Sequence, residues 1–292
     1  MSNRFKSRYD DDINLFEGRW HMAQYAILAA LLLAAPWVLG NYYLGELTAV
    51  LVWSLAGLGL MLISGHTGQV SLGHAAFMAI GAFTNLALMQ RGWHFLPALL
   101  ASAVTSGVAG AVIARPILRM SGIYLGIATL ALSIIVEDVS IMAEPVTGGV
   151  TGVFAPPISL FGMEIDRYAT PEAFYYLCLG VLVLVTLGYL NLLRSASGRS
   201  FLAVRDSEVS ARALGVNVAR AKTLAFSLSC AITGLAGALY AHLAQAVNYE
   251  RFLVLISITL LLQVFVAGLG SCHGHFLCSC LVCSVAQVLL FV

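Results

Sequence analysis

Charge is what this sequence has little of. Of its 292 residues only 10% are Asp, Glu, Lys or Arg, while 60% are hydrophobic, and the mean hydropathy is +0.90. Soluble domains carry roughly 25% charged residues. A soluble core cannot hide this much apolar surface, so the chain takes lipid as its solvent. The net charge of +1 leaves no basic field for a nucleic-acid partner. There is no G-x-S-x-G, no H-E-x-x-H and no Walker lysine loop. These absences remove the nucleophile-elbow hydrolases, the zincins and ATP binding by a P-loop. A purely basic leader is missing too. Met1–His21 mixes both signs, including Asp10, Asp11 and Asp12, and the apolar run after it is long enough to span, so no cleavable signal peptide is expected. The six cysteines, Cys178, Cys230, Cys272, Cys278, Cys280 and Cys283, sit in or beside apolar runs and read as free thiols rather than a disulfide framework. The last four, with His273 and His275, match no standard zinc spacing, so neither a metal nor a cofactor is expected.

What is present is a series of apolar runs. A helix needs about 20 such residues to cross the hydrocarbon core. Spans are expected near 23–40, 43–63, 75–90, 96–114, 121–142, 174–193, 223–243, 251–268 and 275–292. The fold class is therefore all-α, a polytopic transmembrane bundle of 8–9 spans. Residues 1–22 are expected to form a cytoplasmic segment and 23–292 one transmembrane domain. Lys and Arg gather in the N-terminal segment (Arg4, Lys6, Arg8, Arg19), in the 115–120 connection (Arg115, Arg119), and in 194–222 (Arg194, Arg199, Arg205, Arg212, Arg220, Lys222). The positive-inside rule puts all three in the cytoplasm, and the span count agrees. Loop 143–173, with only Arg167 against Glu144, Glu164, Asp166 and Glu172, is then external and suits a cap on the outer face.

One stretch breaks the apolar pattern: "GHTGQVSLGHAAFMAIGAF", 65–83. Irregular backbone at membrane depth survives only where protein or water satisfies it. Gly65, Gly68 and Gly73 let the chain leave helical geometry. His66, Thr67, Gln69, Ser71 and His74 can bond the freed backbone groups. A broken or re-entrant element near 65–74, facing the bundle interior, is one reading. A wet hairpin on the cytoplasmic side is the other. On the first, Gly68, Gln69, Ser71, Gly73 and His74 are candidates for the pore or a subunit interface. His66 and His74 have no carboxylate nearby and do not read as metal ligands. Elsewhere Ala225, Ser229, Thr233, Gly237 and Ala241 recur every fourth residue, as do Ser102, Ser106 and Gly110. Such small-residue stripes pack membrane helices closely. Glu137 and Asp138 fall toward the outer end of a span, where the interface is the plain reading. Gln263 is expected to face protein rather than lipid.

The segment "SGRSFLAVRDSEVSARALGVNVARAK", 197–222, is long, basic and amphipathic. Ala203 to Leu214 suits a helix that Gly215 ends, with Asp206 or Ser207 as a cap. Ala203, Val204, Ala211, Ala213 and Leu214 would make its apolar side. Arg205, Asp206, Glu208 and Arg212 would make a polar side for a partner, with a lipid surface as the plain alternative. The segment resembles the coupling loop of ABC importer permeases, a degenerate Glu-Ala-Ala…Gly pattern carried by Glu208, Ala211 and Gly215, with Val209 and Ser210 in place of the two alanines. Together with "TGQVSLGHAAFMAIGAF" (67–83), "SGIYLGIATLAL" (121–132), "TGGVTGV" (147–153), "AGALYA" (236–241) and "GLGS" (268–271), in this order, it makes the chain similar to LivM-like permease subunits of the branched-chain amino acid ABC importer family.

That resemblance implies a bacterial inner-membrane importer of Leu, Ile or Val with its N-terminus in the cytoplasm. It implies as partners a second, LivH-like permease subunit, two cytoplasmic ATP-binding subunits and a periplasmic substrate-binding protein, all working in a lipid bilayer. Hydrolysis of ATP would belong to the partners, so this chain is not itself an enzyme. Related permeases serve urea and short amides, which is the alternative substrate class. A secondary transporter and a pore-less membrane scaffold are further alternatives: the first has no need for an ATPase dock, and the second predicts no substrate-dependent ATPase activity in a reconstituted complex. The family's Trp-Gly-Pro-like turn after "GLGS" is replaced by "CHGHFLCSCLVCSVAQVLLFV", which suggests a frame change or an unusual terminus.

Overall fold

The computed structural model describes residues 19–268 except 118, 119, 121, 161, 162 and 168. The basic residues before 19, Arg119, the Cys-rich run from Cys272 and the span expected at 275–292 lie outside the described residues. The chain forms two units, residues 1–44 and 45–292. The first holds α1 (Arg19–Val38), an apolar helix with Pro36 inside it.

Where water is absent, the backbone must satisfy its own polar groups, and the helix does so within one segment. Helices follow accordingly: α2 (Asn41–His66), α3 (His74–Gln90), α4 (Phe95–Ile117), α5 (Ile123–Met142), the short α6 (Glu144–Thr147), α7 (Pro171–Arg194), α8 (Ala196–Asp206), α9 (Glu208–Ala213), α10 (Val218–Ala244) and α11 (Val254–Ala267). Six described helical stretches are long and apolar enough to cross a membrane: Asn41–His66, Phe95–Pro116, Ile123–Met142, Pro171–Arg194, Val218–Ala244 and Tyr249–Ala267. Leu28–Val38 is a shorter apolar stretch. α3 has 17 residues. Most of its length is buried against α4 and α10, so protein rather than lipid surrounds it.

The small-residue stripes explain how α10 reaches the centre. Ala225, Ser229, Thr233 and Ala241 are buried, as is Gly237. Gly234 lies so close to α4 that a Cβ there would sit 2.5 Å from Ser106 Cβ and 3.0 Å from the Ser102 carbonyl oxygen. A Cβ at Gly110 would sit 2.7 Å from Cys230 Sγ. Ser106 Oγ donates to the Phe77 carbonyl at 3.2 Å, tying α4 to α3 as well. Gln263 is buried on α11.

Region 143–173 is folded, not loose. β1 (Val153–Phe154) pairs antiparallel with β4 (Ala246–Val247), Val153 opposite Val247. β2 (Ile158–Leu160) and β3 (Met163–Ile165) form a hairpin. Arg167 Nη1 donates to the Leu243 carbonyl at 2.6 Å, and Gln245 Nε2 donates to Asp166 Oδ1 at 2.6 Å. This region therefore covers the C-terminal end of α10. The 194–222 segment feeds its N-terminal end, so the two connections sit at opposite ends of one helix.

Candidate functional site

α2 stops at His66 because the next residues turn the chain. Gly68 has φ +68, a left-handed conformation that glycine takes without a Cβ clash. Thr67 Oγ1 donates to the Ile63 carbonyl at 2.6 Å, and the amides of Thr67 and Gln69 reach the same oxygen at 3.2 Å. Thr67, Gln69, Ser71 and His74 are all buried. Only Gly68 and Val70 face outward. The break thus lies inside the protein, and solvent does not account for its polarity.

Hydrogen bonds from three other helices hold it. The Leu72 amide donates to Thr129 Oγ1 of α5 at 2.9 Å. The Ala75 amide donates to Ser257 Oγ of α11 at 2.8 Å. His74 Nε2 lies 2.7 Å from Ser229 Oγ of α10, and its Nδ1 lies 3.1 Å from Ser71 Oγ. Ser229 has one proton and donates it to the Gly59 carbonyl at 2.6 Å. It therefore accepts from His74 Nε2–H, and in the neutral ring Nδ1 accepts from the Ser71 hydroxyl. Gly73 presses on α5: a Cβ there would sit 2.7 Å from the Thr129 carbonyl oxygen. Gln69 is 6% exposed, and neither of its amide atoms has a hydrogen-bond partner among the described residues.

The 195–217 segment is the second cluster. Ser195 caps α8, its Oγ accepting from the Gly198 amide at 3.4 Å. The single helix expected over Ala203–Leu214 is broken at Ser207, which is extended at φ −164 and ψ 116. The cause is the cap itself: Ser207 Oγ accepts from the Ser210 amide at 3.3 Å and starts α9. Gly215, at φ +83, ends the pair. Phe201, Val204, Ala211, Val218, Ala221 and Ala225 form one packed cluster with Leu62 of α2 and Tyr189 of α7. Tyr189 Oη lies 3.0 Å from His66 Nδ1.

The polar side differs from expectation at two residues. Arg205 turns toward the membrane helices, and its Nη1 donates to the Gly65 carbonyl at 2.7 Å. Glu208 is committed within the chain, its Oε1 2.5 Å from Lys222 Nζ and its Oε2 3.7 Å from Arg212. Arg205, despite its bond to Gly65, stays exposed, as do Asp206 and Arg212. Leu214, expected on the packed side, is 80% exposed, and Val209 is 79% exposed. The break at Ser207 rotates α9 so that Ala211 alone of its apolar residues points down. Sequence reasoning missed Thr129, Ser257 and Tyr189. Each is one polar group in an apolar run, and no periodicity marks it.

A family model described as branched-chain amino acid transport system / permease component matches residues 42–292. The high-affinity branched-chain amino acid transport system permease protein LivM of Salmonella typhimurium is 32% identical over 271 residues, 84% of this chain and 63% of that protein. The protein of the same name from Escherichia coli strain K12 is 32% identical over 270 residues, with the same 84% and 63% coverage. The autoinducer 2 import system permease protein LsrC of Escherichia coli O9:H4 is 27% identical over 229 residues, 74% of this chain and 63% of that protein. The chain thus spans 63% of the length of these curated relatives. No solved structure matches it.

Proposed function

We infer function from one premise: this chain belongs to the family of branched-chain amino acid transport system permease components. On that basis it is a membrane-spanning subunit of an ATP-driven, binding-protein-dependent importer, carrying Leu, Ile and Val through the inner membrane of a bacterium. The observation that carries this reading is the match to LivM along 84% of the chain. The partners are a second, LivH-like permease, two ATP-hydrolysing subunits on the cytoplasmic side and a periplasmic substrate-binding protein. With α1 and the short α3 added to the six long apolar stretches, the described residues supply eight spans of the 8–9 proposed. The N-terminus and 194–222 face the cytoplasm, and 143–173 faces outward.

The α8–α9 pair is the ATPase dock. Asp206, Arg212, Val209 and Leu214 supply its exposed face, while Glu208, Ala211 and Gly215 hold its shape. Among Gly68, Gln69, Ser71, Gly73 and His74, the amide of Gln69 is the group left over for a second subunit or for the path. Ser71, Gly73 and His74 anchor the segment from within, and Gly68 makes its outward turn. Reconstitution tests the whole reading. The chain with all its partners should take up labelled leucine only with ATP, and isoleucine and valine should compete. Urea uptake without leucine uptake would move the substrate to the short amides. ATP-driven leucine uptake by this chain alone would sink the subunit reading.

A further inference from the structure

We propose that Arg205 is a positioning residue that ties the α8–α9 pair to the broken segment 67–73, so that a push on the pair is delivered to His74 and Ser229 at the bundle centre. The proposal rests on the reading of α8–α9 as the ATPase dock. Arg205 is the last-turn cation of α8, yet it does not cap its own helix. Its Nη1 donates to the Gly65 carbonyl, 2.7 Å away and 140 residues distant in sequence. Gly65 lies in the final turn of α2, where carbonyls lack intrahelical donors and the helix end carries partial negative charge. A guanidinium there serves as both donor and counter-charge.

The other cations of the pair behave differently. Arg199 bonds the nearby Arg194 carbonyl at 3.0 Å, and Arg212 meets Glu208, at 3.7 Å, on the same short helix. Arg205 also holds the segment sideways. A Cβ at Gly68 would lie 3.4 Å from Arg205 Cγ and 3.8 Å from its Cα. The turn that redirects the chain is therefore laid directly along this side chain. Beneath it, Phe201 and Val204 pack with Leu62, and Tyr189 meets His66. The end of α8 is thus joined to the end of α2 by one hydrogen bond and by this packing.

Beyond Gly68 the backbone has no helical ladder until His74, so it bends more easily than either helix. Its far end is fixed by Ser71 to His74, and through His74 to Ser229 and Gly59. A displacement entering at Arg205 leaves at the contact of α2, α3 and α10. Contact alone does not demonstrate coupling, so the test must read motion.

The experiment uses the assembled transporter in liposomes on a cysteine-free background. Val70, 38% exposed beside Gly68, is replaced by Cys, and its reaction with a water-soluble maleimide is timed without nucleotide and with vanadate-trapped ATP. The rate should change between the two states. In Arg205→Gln that change should vanish, and leucine transported per ATP should fall about fivefold or more. Arg205→Lys, which keeps a donor and the stem, should retain part of both. An unchanged rate in the chain that keeps Arg205 overturns the tie without any Arg205 variant having to fold. Wild-type stoichiometry in Arg205→Gln overturns it as well. A Cys at Val209 separates the two ideas. If it fails to cross-link to the ATPase, the dock is wrong and the tie falls with it. If it cross-links while the Val70 rate stays constant, the tie alone is wrong.

Discussion

At Gly73 the backbone of the broken segment lies against the backbone of α5, with no room for a methyl group. Gly73→Ala would place a Cβ 2.7 Å from the Thr129 carbonyl oxygen and 3.2 Å from Thr129 Cβ. A helix carbonyl does not move aside as a flexible side chain does. Overpacking of this kind costs about 1–3 kcal/mol. Gly180, on α7, is the control: a Cβ there meets nothing within 4 Å, and Gly→Ala in a helix stabilises by roughly 0.4–1 kcal/mol. Thermal unfolding of the two variants in detergent should shift in opposite directions, downward for Gly73→Ala and upward for Gly180→Ala. Equal shifts would mean that Gly73 is not pressed on Thr129. Glu208 and Lys222 give a second residue-scale test. The Lys222 side chain is only 9% exposed, against 40% for Glu208. Glu208→Gln should therefore destabilise by about 1–3 kcal/mol, because it strands a mostly buried ammonium with a weaker acceptor. Glu208→Lys should be worse, and the exchange Glu208→Lys with Lys222→Glu should recover much of the loss. No recovery in the exchanged pair would show that the ion pair does not set the cost.

α8 and α9 act as one element because Ser207 both breaks and restarts the helix. Removing such a cap costs roughly 1 kcal/mol. Ser207→Ala should raise amide hydrogen exchange over 208–213 while leaving α10 unchanged. Equal protection in both chains would mean that packing at Ala211 alone holds α9. The outward face makes a separate prediction. Val209 and Leu214 are almost fully solvent-facing, so Leu214→Asp and Val209→Asp should leave the melting temperature within the small range of exposed substitutions, about 0.5 kcal/mol. Both should weaken capture of the ATPase subunit from a detergent extract. Undiminished capture would move the dock elsewhere on the chain.

Across the whole molecule, the two polar connections stand at the two ends of α10, separated by its 27 residues, or about 40 Å at 1.5 Å per residue. They therefore lie on opposite sides of a bilayer whichever way the chain is inserted. The positive-inside rule would then put 194–222 in the cytoplasm, as proposed above. A Cys at Ser159, in the β2–β3 hairpin, should react with an impermeant reagent added outside whole cells, and a Cys at Val209 only after the membrane is opened. The reverse pattern would invert the topology without altering the fold. α3 depends little on lipid. Held between α4 and α10 and attached through Ser257 and Ser229, it is positioned by protein along most of its length.

The helices themselves were legible in the sequence, because lipid obliges the backbone to bond within one segment and the rise per residue converts an apolar run directly into a span. The expected run 43–63 became Asn41–His66, and 223–243 became Val218–Ala244. The stripe from Ala225 to Ala241 was legible for a similar reason, since one helix repeats its own face. The positive φ at Gly215 and the cap at Ser207 are local chemistry and were readable too. Only the tertiary structure decided which groups meet. Arg205 finds Gly65 across 140 residues, His74 finds Ser229 across 155, and the Ala75 amide finds Ser257 across 182. A single Thr or Ser in an apolar run has no period and no neighbour that marks its partner. The partner is set by how α10 enters between α2, α3 and α4, and that depth is set in turn by Gly234, whose missing side chain has a meaning only once Ser106 is known to stand against it.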